Sequence, residues 1–112
     1  MNASKIGYLY KRAESVFRAW TEKFCVLTNV GLLYYNDPNE RPHNLFPIID
    51  SHITPVPYEK YKRLYVFLIA GYNVKIEFAA PSEEEYNSWM RGFKRLQEEF
   101  DKKRESQLAS IK

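Results

Sequence analysis

The sequence predicts a mainly β domain of seven short strands closed by one C-terminal amphipathic helix. Three observations predict it. Aromatic residues are plentiful, with nine Tyr, seven Phe and two Trp among 112 residues, and such side chains favour half-buried pleated surfaces. Short alternating or apolar runs, punctuated by Gly, Asn and Pro, fill residues 6–80. After Pro81 the spacing of apolar positions changes from two to three and four, the period of a helix.

The elements follow in order. Residues 6–12 read as a Tyr-rich first strand, residues 13–19 as a loop without a clean period, and residues 20–28 as a second strand. Asn29, Val30 and Gly31 signal a turn into a third strand at 32–35, so the chain opens as an antiparallel meander. Residues 36–44 form a polar, proline-punctuated loop. Two short apolar pieces, 46–49 and 53–56, are each interrupted by Pro, which confines them to edges or strand starts. Residues 58–63 read as a basic, Tyr-containing connection. Residues 64–70 and 73–80 flank Gly71 and Tyr72 as a hairpin, with Val74, Ile76 and Phe78 alternating against Lys75 and Glu77.

Ser82, Glu83, Glu84 and Glu85 then make a capping box, with the Ser82 hydroxyl placed to accept from the backbone of Glu85. The acidic first turn also suits the positive end of the helix dipole. Tyr86, Trp89, Met90, Phe93, Leu96, Gln97 and Phe100 recur on one stripe, predicting a helix to about residue 100. Residues 1–4 are read as a flank, 5–100 as the domain, and 101–112 as a charged helix extension or tail.

The net charge is +3, too small to name a partner by itself. Its placement is more informative. Residues 1–28 carry five bases (Lys5, Lys11, Arg12, Arg18 and Lys23) against two acids (Glu14 and Glu22). In the rest of the chain the charges balance, so the whole surplus lies on the first two strands and their loop. The lone cysteine, Cys25, can form no internal disulfide and fits a reducing, cytoplasmic setting. No apolar run reaches the 18 or so residues that span a bilayer.

Several of these residues resemble the pleckstrin homology (PH) domain family. Gly7, Leu9 and Lys11 match the family's opening Gly-x-Leu-x-Lys. Trp20, Lys23, Phe24, Cys25, Val26 and Leu27 match its second-strand Trp-x-x-Arg-aromatic-Phe-Val-Leu, with Lys and Cys substituted. Leu33, Tyr34 and Tyr35 match the third strand. Phe78, Ala80, the Ser82-to-Glu85 turn and Trp89 match the last strand and the helix with its nearly invariant Trp. The resemblance covers residue 5 to about 100. It implies a PH-like barrel of two near-orthogonal antiparallel sheets, with Trp89 plugging the corner under the helix.

Strand parity points to a ligand site. If Leu9, Cys25 and Leu27 face the core, Lys11 and Lys23 leave that same face where the sheet opens, with Arg12 and Arg18 beside them. Such converging cations recognise phosphate oxygens. The resemblance implies an inositol-phosphate site here, formed by a Lys ending the first strand and a Lys-x-Arg starting the second. Lys11 fits, but the second pair reads Thr21-Glu22-Lys23. Fewer fixed cations suit a headgroup with fewer phosphates, or a simpler acidic lipid such as phosphatidic acid. Of Tyr34 and Tyr35, which face opposite ways, Tyr35 is assigned to the headgroup and Tyr34 to the core.

Val16 and Phe17, flanked by Arg18, suit insertion at a membrane interface; the alternative is that Phe17 folds back onto the domain. Burying it in a bilayer would contribute about 1.5–3 kcal/mol, and each basic charge near an anionic leaflet about 1 kcal/mol, so docking is reversible. Lys60, Lys62 and Arg63 are either a solvated loop or auxiliary phosphate contacts. Lys102, Lys103 and Arg104 read as a solvated helix end.

Catalysis has little support. His43 and His52 lie apart from Cys25, so no nucleophile pair or metal site is suggested, and the four glycines make no phosphate-cradling loop. No cofactor is expected, and no nucleic-acid motif is present. The expected protein is a monomeric, peripheral membrane module of the cytoplasm that binds anionic phospholipid. The rival is a protein-interaction module on the same fold, favoured by the missing basic position and Glu22.

Overall fold

The computed structural model describes residues 3–13, 19–42 and 44–111. Strands β1 (Ala3–Arg12), β2 (Trp20–Thr28), β3 (Gly31–Tyr35) and β4 (Asn44–Phe46) form an antiparallel meander. Strands β5 (His52–Pro55), β6 (Val66–Gly71) and β7 (Val74–Ala79) form a second one. The two join where Tyr10 and Lys11 of β1 pair with Ala79 and Phe78 of β7. The result is one seven-stranded antiparallel sheet in the order β4-β3-β2-β1-β7-β6-β5. A short helix, α1 (Tyr58–Tyr61), precedes β6, and a long one, α2 (Glu83–Ser110), follows β7.

Proline chemistry shifts the two Pro-bearing strands from their expected places. Pro47 has no N–H to donate, so β4 stops at Phe46 instead of running to residue 49. Ile48 beyond it is a fully buried core residue, and the Ser51 hydroxyl donates back to its carbonyl at 2.5 Å. Likewise β5 ends at Pro55. Pro57 is then the N-cap of α1, and Lys62, in the left-handed region at φ 54°, ends that helix after one turn. Tyr65 is also left-handed, at φ 63°, which breaks extended geometry and delays β6 to Val66. The β6–β7 turn takes its positive φ at Asn73, not at Gly71, because the Asn side chain tolerates that region.

Helix α2 begins as its capping box predicts, with the Glu85 N–H donating to the Ser82 hydroxyl oxygen at 3.1 Å. Trp89, Phe93 and Leu96 are buried, and Tyr86, Met90 and Phe100 pack partly buried against the same core. That core also takes Leu9 from β1, Cys25 and Leu27 from β2, Leu32 and Tyr34 from β3, and Phe67 and Phe78 from β6 and β7. Gln97 donates to the Ser51 carbonyl at 2.9 Å. At the other end Lys5 Nζ lies 2.6 Å from Glu85 Oε2 and 5.6 Å from the Trp89 ring, tying the first strand to the helix. The helix continues ten residues past Phe100, all of them exposed. On that extension an Arg104 guanidinium nitrogen lies 2.9 Å from Asp50 Oδ1, which ties it back to the turn before β5. No helix among the described residues is long and apolar enough to cross a membrane.

Candidate functional site

The register of β1 and β2 decides which cations converge. Leu9 pairs with Lys23 and Lys11 with Thr21, and directly opposed residues share a face. Leu9 and Cys25 are fully buried, so Lys11, Thr21 and Lys23 occupy the inner face where it opens beyond the core, as strand parity predicts. Burial pushes the Cys25 thiol up to about 12, consistent with a packing role.

At this open end lies a cleft of about 610 Å³ lined by Lys11, Arg12, Lys60, Lys75 and Glu77 over a floor that includes Tyr34, Phe46 and Ile76. Lys11 Nζ stands 5.9 Å from the centroid of the Tyr34 ring. Lys23 Nζ donates to Asn36 Oδ1, which holds it beside the end of β3. Lys75 adds a cation that sequence reasoning missed, because alternation along β7 marked it only as solvent-facing.

Three expected assignments are redistributed. Tyr35 pairs with Phe24 and Tyr34 with Cys25, so Tyr34 lines the cleft and Tyr35 points to the outer face, 5.7 Å from the Phe24 ring. The assignment of Tyr35 to the headgroup is therefore corrected: it lies on the wrong side of the sheet. Arg12 borders the cleft but alternates away from Lys11; its guanidinium sits 3.8 Å from the Tyr61 ring centroid and 5.6 Å from that of Trp20. The cluster of Lys60, Lys62 and Arg63 is divided. Lys60 reaches the cleft and lies 3.6 Å from Glu77 Oε2; its hydrogen bond with Tyr61, and then the charge of Glu77, hold its ammonium above the usual lysine range. Arg63 lies over the Tyr10 and Trp20 rings at 4.8 and 5.1 Å. Lys62 caps α1 and lies 5.9 Å from the Tyr58 ring. The Tyr61 hydroxyl completes this network, donating to Glu77 Oε1 at 2.5 Å. Val16, Phe17, Arg18 and His43 lie outside the described residues.

The fold is an antiparallel sheet with a C-terminal helix packed against its core and a cleft bordered by cations at its open end. A family model for the PH domain matches residues 3–98, and the chain belongs to the PH domain family. It is similar to pleckstrin homology domain-containing family A member 7 of Danio rerio, at 33% identity over 88 residues, 76% of this chain and 7% of that protein. Family A member 6 of Homo sapiens is 29% identical over 91 residues, 79% of this chain and 9% of that protein. The chain thus spans less than a tenth of the length of these relatives. Among solved structures, the PH domain of human family A member 5 superposes with a TM-score of 0.72 at 24% identity, over 84% of this chain and 76% of that one. The C-terminal PH domain of pleckstrin, solved with D-myo-Ins(1,2,3,5,6)P5, gives a TM-score of 0.71 at 20% identity, over 85% and 95%. Domains of this family commonly bind phosphoinositides or proteins and are generally non-catalytic.

Proposed function

We propose that the chain is a non-catalytic membrane-targeting module that docks on anionic phospholipid headgroups at the open end of its sheet. One observation carries this reading: Lys11, which shares the inner face of two paired strands with Lys23, lines a cleft together with Lys60 and Lys75. Lysines on separate elements around one concavity attract phosphate oxygens as point charges. The pleckstrin domain of the same fold was solved with an inositol pentakisphosphate, which supports a phosphate ligand for a domain of this fold. Arg18, Val16 and Phe17 join the proposal from the sequence, as a cation and an apolar pair in the segment between β1 and β2.

The headgroup is one with few phosphates. Thr21 stands where a second cation would face Lys11, Glu22 follows it, and Lys23 is shared with Asn36. A singly phosphorylated phosphoinositide or phosphatidic acid matches this sparse charge better than a polyphosphorylated inositol. Binding is peripheral and reversible, on a cytoplasmic membrane face.

Sedimentation with vesicles tests it. Vesicles of phosphatidylcholine containing a phosphoinositide or phosphatidic acid are expected to carry the protein down, and pure phosphatidylcholine vesicles are not. The double variant Lys11→Glu, Lys23→Glu is expected to stay in the supernatant with an unchanged circular dichroism spectrum. If neither acidic lipid raises binding above the neutral vesicles, the proposal fails.

A further inference from the structure

The outer face of the first four strands carries a second, unassigned surface. The register sets Ile6, Val26, Leu33 and Leu45 in one row across β1, β2, β3 and β4. Two residues nearer the open end, Tyr8, Phe24 and Tyr35 make a second row, with ring centroids 5.4 and 5.7 Å apart. A sheet face turned to water ordinarily alternates to polar residues, yet both rows are apolar or aromatic throughout. Ile6, Tyr8 and Leu45 are 54%, 43% and 42% exposed, so the patch is uncovered among the described residues. Contiguous apolar patches of this kind mark interaction sites.

The charge beside the patch says what covers it. Continuing toward the open end, the same face presents Arg12 opposite Trp20, and Arg63 lies over the Tyr10 and Trp20 rings. Both guanidiniums are held by aromatic faces, and neither is ion-paired among the described residues. Stacking leaves the edge N–H donors of an arginine available for a carboxylate. Glu22 is the one acid in these rows, so the rim is complementary to an acidic partner.

We infer that the outer face of β1–β4 is a protein-docking surface for an amphipathic helix with aliphatic side chains along one stripe and Asp or Glu toward one end. At the centre of the patch β2 and β3 are paired on both sides, so the face offers side chains, and a partner that satisfies its own backbone, as a helix does, fits it. Four strands spaced about 4.8 Å apart make a patch about 14 Å wide, enough for a helix of about 10 Å. The face runs along the strand axes, whereas the proposed lipid cleft opens at their end, so the two can be occupied together. This inference does not depend on the lipid reading.

Selection of a displayed library of random 16-residue peptides on the immobilised protein tests it, with enriched peptides synthesised and measured by fluorescence anisotropy. The expected peptides combine aliphatic residues at helical spacing with acidic ones. The Ile6→Ser, Leu45→Ser double variant is expected to lose at least tenfold in peptide affinity, and Arg63→Gln several-fold. Both are expected to keep the wild-type circular dichroism spectrum and the wild-type sedimentation with acidic vesicles. Should the double variant fold poorly, Tyr8→Ser alone is expected to show the same loss. Enrichment of no sequence, enrichment of basic peptides, or equal binding by these variants overturns the inference. Reduced vesicle sedimentation by the folded Ile6→Ser, Leu45→Ser variant also overturns it, because the face would then be a membrane contact.

Discussion

The guanidinium carbon of Arg12 lies 3.8 Å from the centroid of the Tyr61 ring, so the last residue of β1 is clasped by the one-turn helix α1. The same Tyr61 donates its hydroxyl to Glu77 on β7. A four-residue helix has no stability of its own; its order rests on these contacts, which join β1 and β7 at the point where their pairing is shortest.

Two substitutions at Tyr61 separate the two contacts. Tyr61→Phe keeps the ring under Arg12 but leaves a largely buried Glu77 carboxylate short of a donor, a loss of about 1–3 kcal/mol. Tyr61→Ala also removes the cation–π contact, adding roughly 0.5–2 kcal/mol. Urea unfolding reads the totals. Amide exchange is expected to rise through residues 58–62 far more in Tyr61→Ala than in Tyr61→Phe; equal protection in the two variants would show that the ring does not hold α1.

The two glycines on the sheet's first three strands are expected to behave differently. Gly31 has φ 151°, and a Cβ there would stand 2.5 Å from the Phe46 carbonyl oxygen. That neighbour is backbone and cannot yield, so Gly31→Ala costs roughly 1–3 kcal/mol in overpacking and a comparable amount in strained geometry. At Gly7 a Cβ would meet the side-chain end of Glu85 at 3.3 Å and Trp89 at 3.5 Å, neighbours that are side chains and not backbone, so Gly7→Ala is expected to lose less than Gly31→Ala. Thermal unfolding of both variants checks the contrast. Trp89→Ala, which empties a fully buried site, sets the upper end of the scale at about 3–5 kcal/mol.

Most of the fold was legible because it rests on local rules. Parity along β1 and β2 placed Leu9, Cys25 and Lys11 on one face, and the Ser82 cap and the stripe from Tyr86 to Phe100 gave the helix. The errors arose where backbone conformation overrode pattern. The left-handed Tyr65 and the missing N–H of Pro47 moved strand ends, and no periodicity announces a one-turn helix at Tyr58–Tyr61. At the site, parity alone could not choose between Tyr34 and Tyr35, because that choice depends on the β2–β3 register. The aromatic stack that holds Arg12 at the border of the cleft and Arg63 outside it joins residues far apart in sequence, so only the folded chain reveals it.

Cys25 gives a pH-dependent prediction. Burial raises its thiol from an ordinary value of 9.0 to about 12. Between those values the unfolded chain releases a proton that the folded chain keeps. The contribution is therefore full below pH 9 and is lost as pH rises toward 12, by on the order of 1 kcal/mol per pH unit. Lysines and tyrosines titrate in the same range, so the measurement is a difference: urea midpoints of wild type and Cys25→Ala at neutral pH and at pH 10. Cys25→Ala is expected to be less stable at neutral pH, through lost packing, and the gap is expected to narrow at pH 10. A gap that stays constant would show that the native thiol is not shielded.

The sharpest test of the cleft adds a charge instead of removing one. Thr21 is exposed and paired across the strands with Lys11, so an arginine at that position would stand on the inner face beside Lys11 and within one alternation of Lys23. Its planar fork would supply the bidentate phosphate contact that a point-charge lysine lacks. Thr21→Arg is therefore expected to bind vesicles containing a polyphosphorylated phosphoinositide about tenfold more tightly, a gain of about 1.4 kcal/mol. The gain should shrink at high salt and should be smaller for phosphatidic acid, which has no second phosphate for the new fork to engage. Vesicle titrations at low and high ionic strength measure both ratios. If Thr21→Arg leaves every affinity where it was, the headgroup does not sit between these strands, whatever the wild-type protein binds.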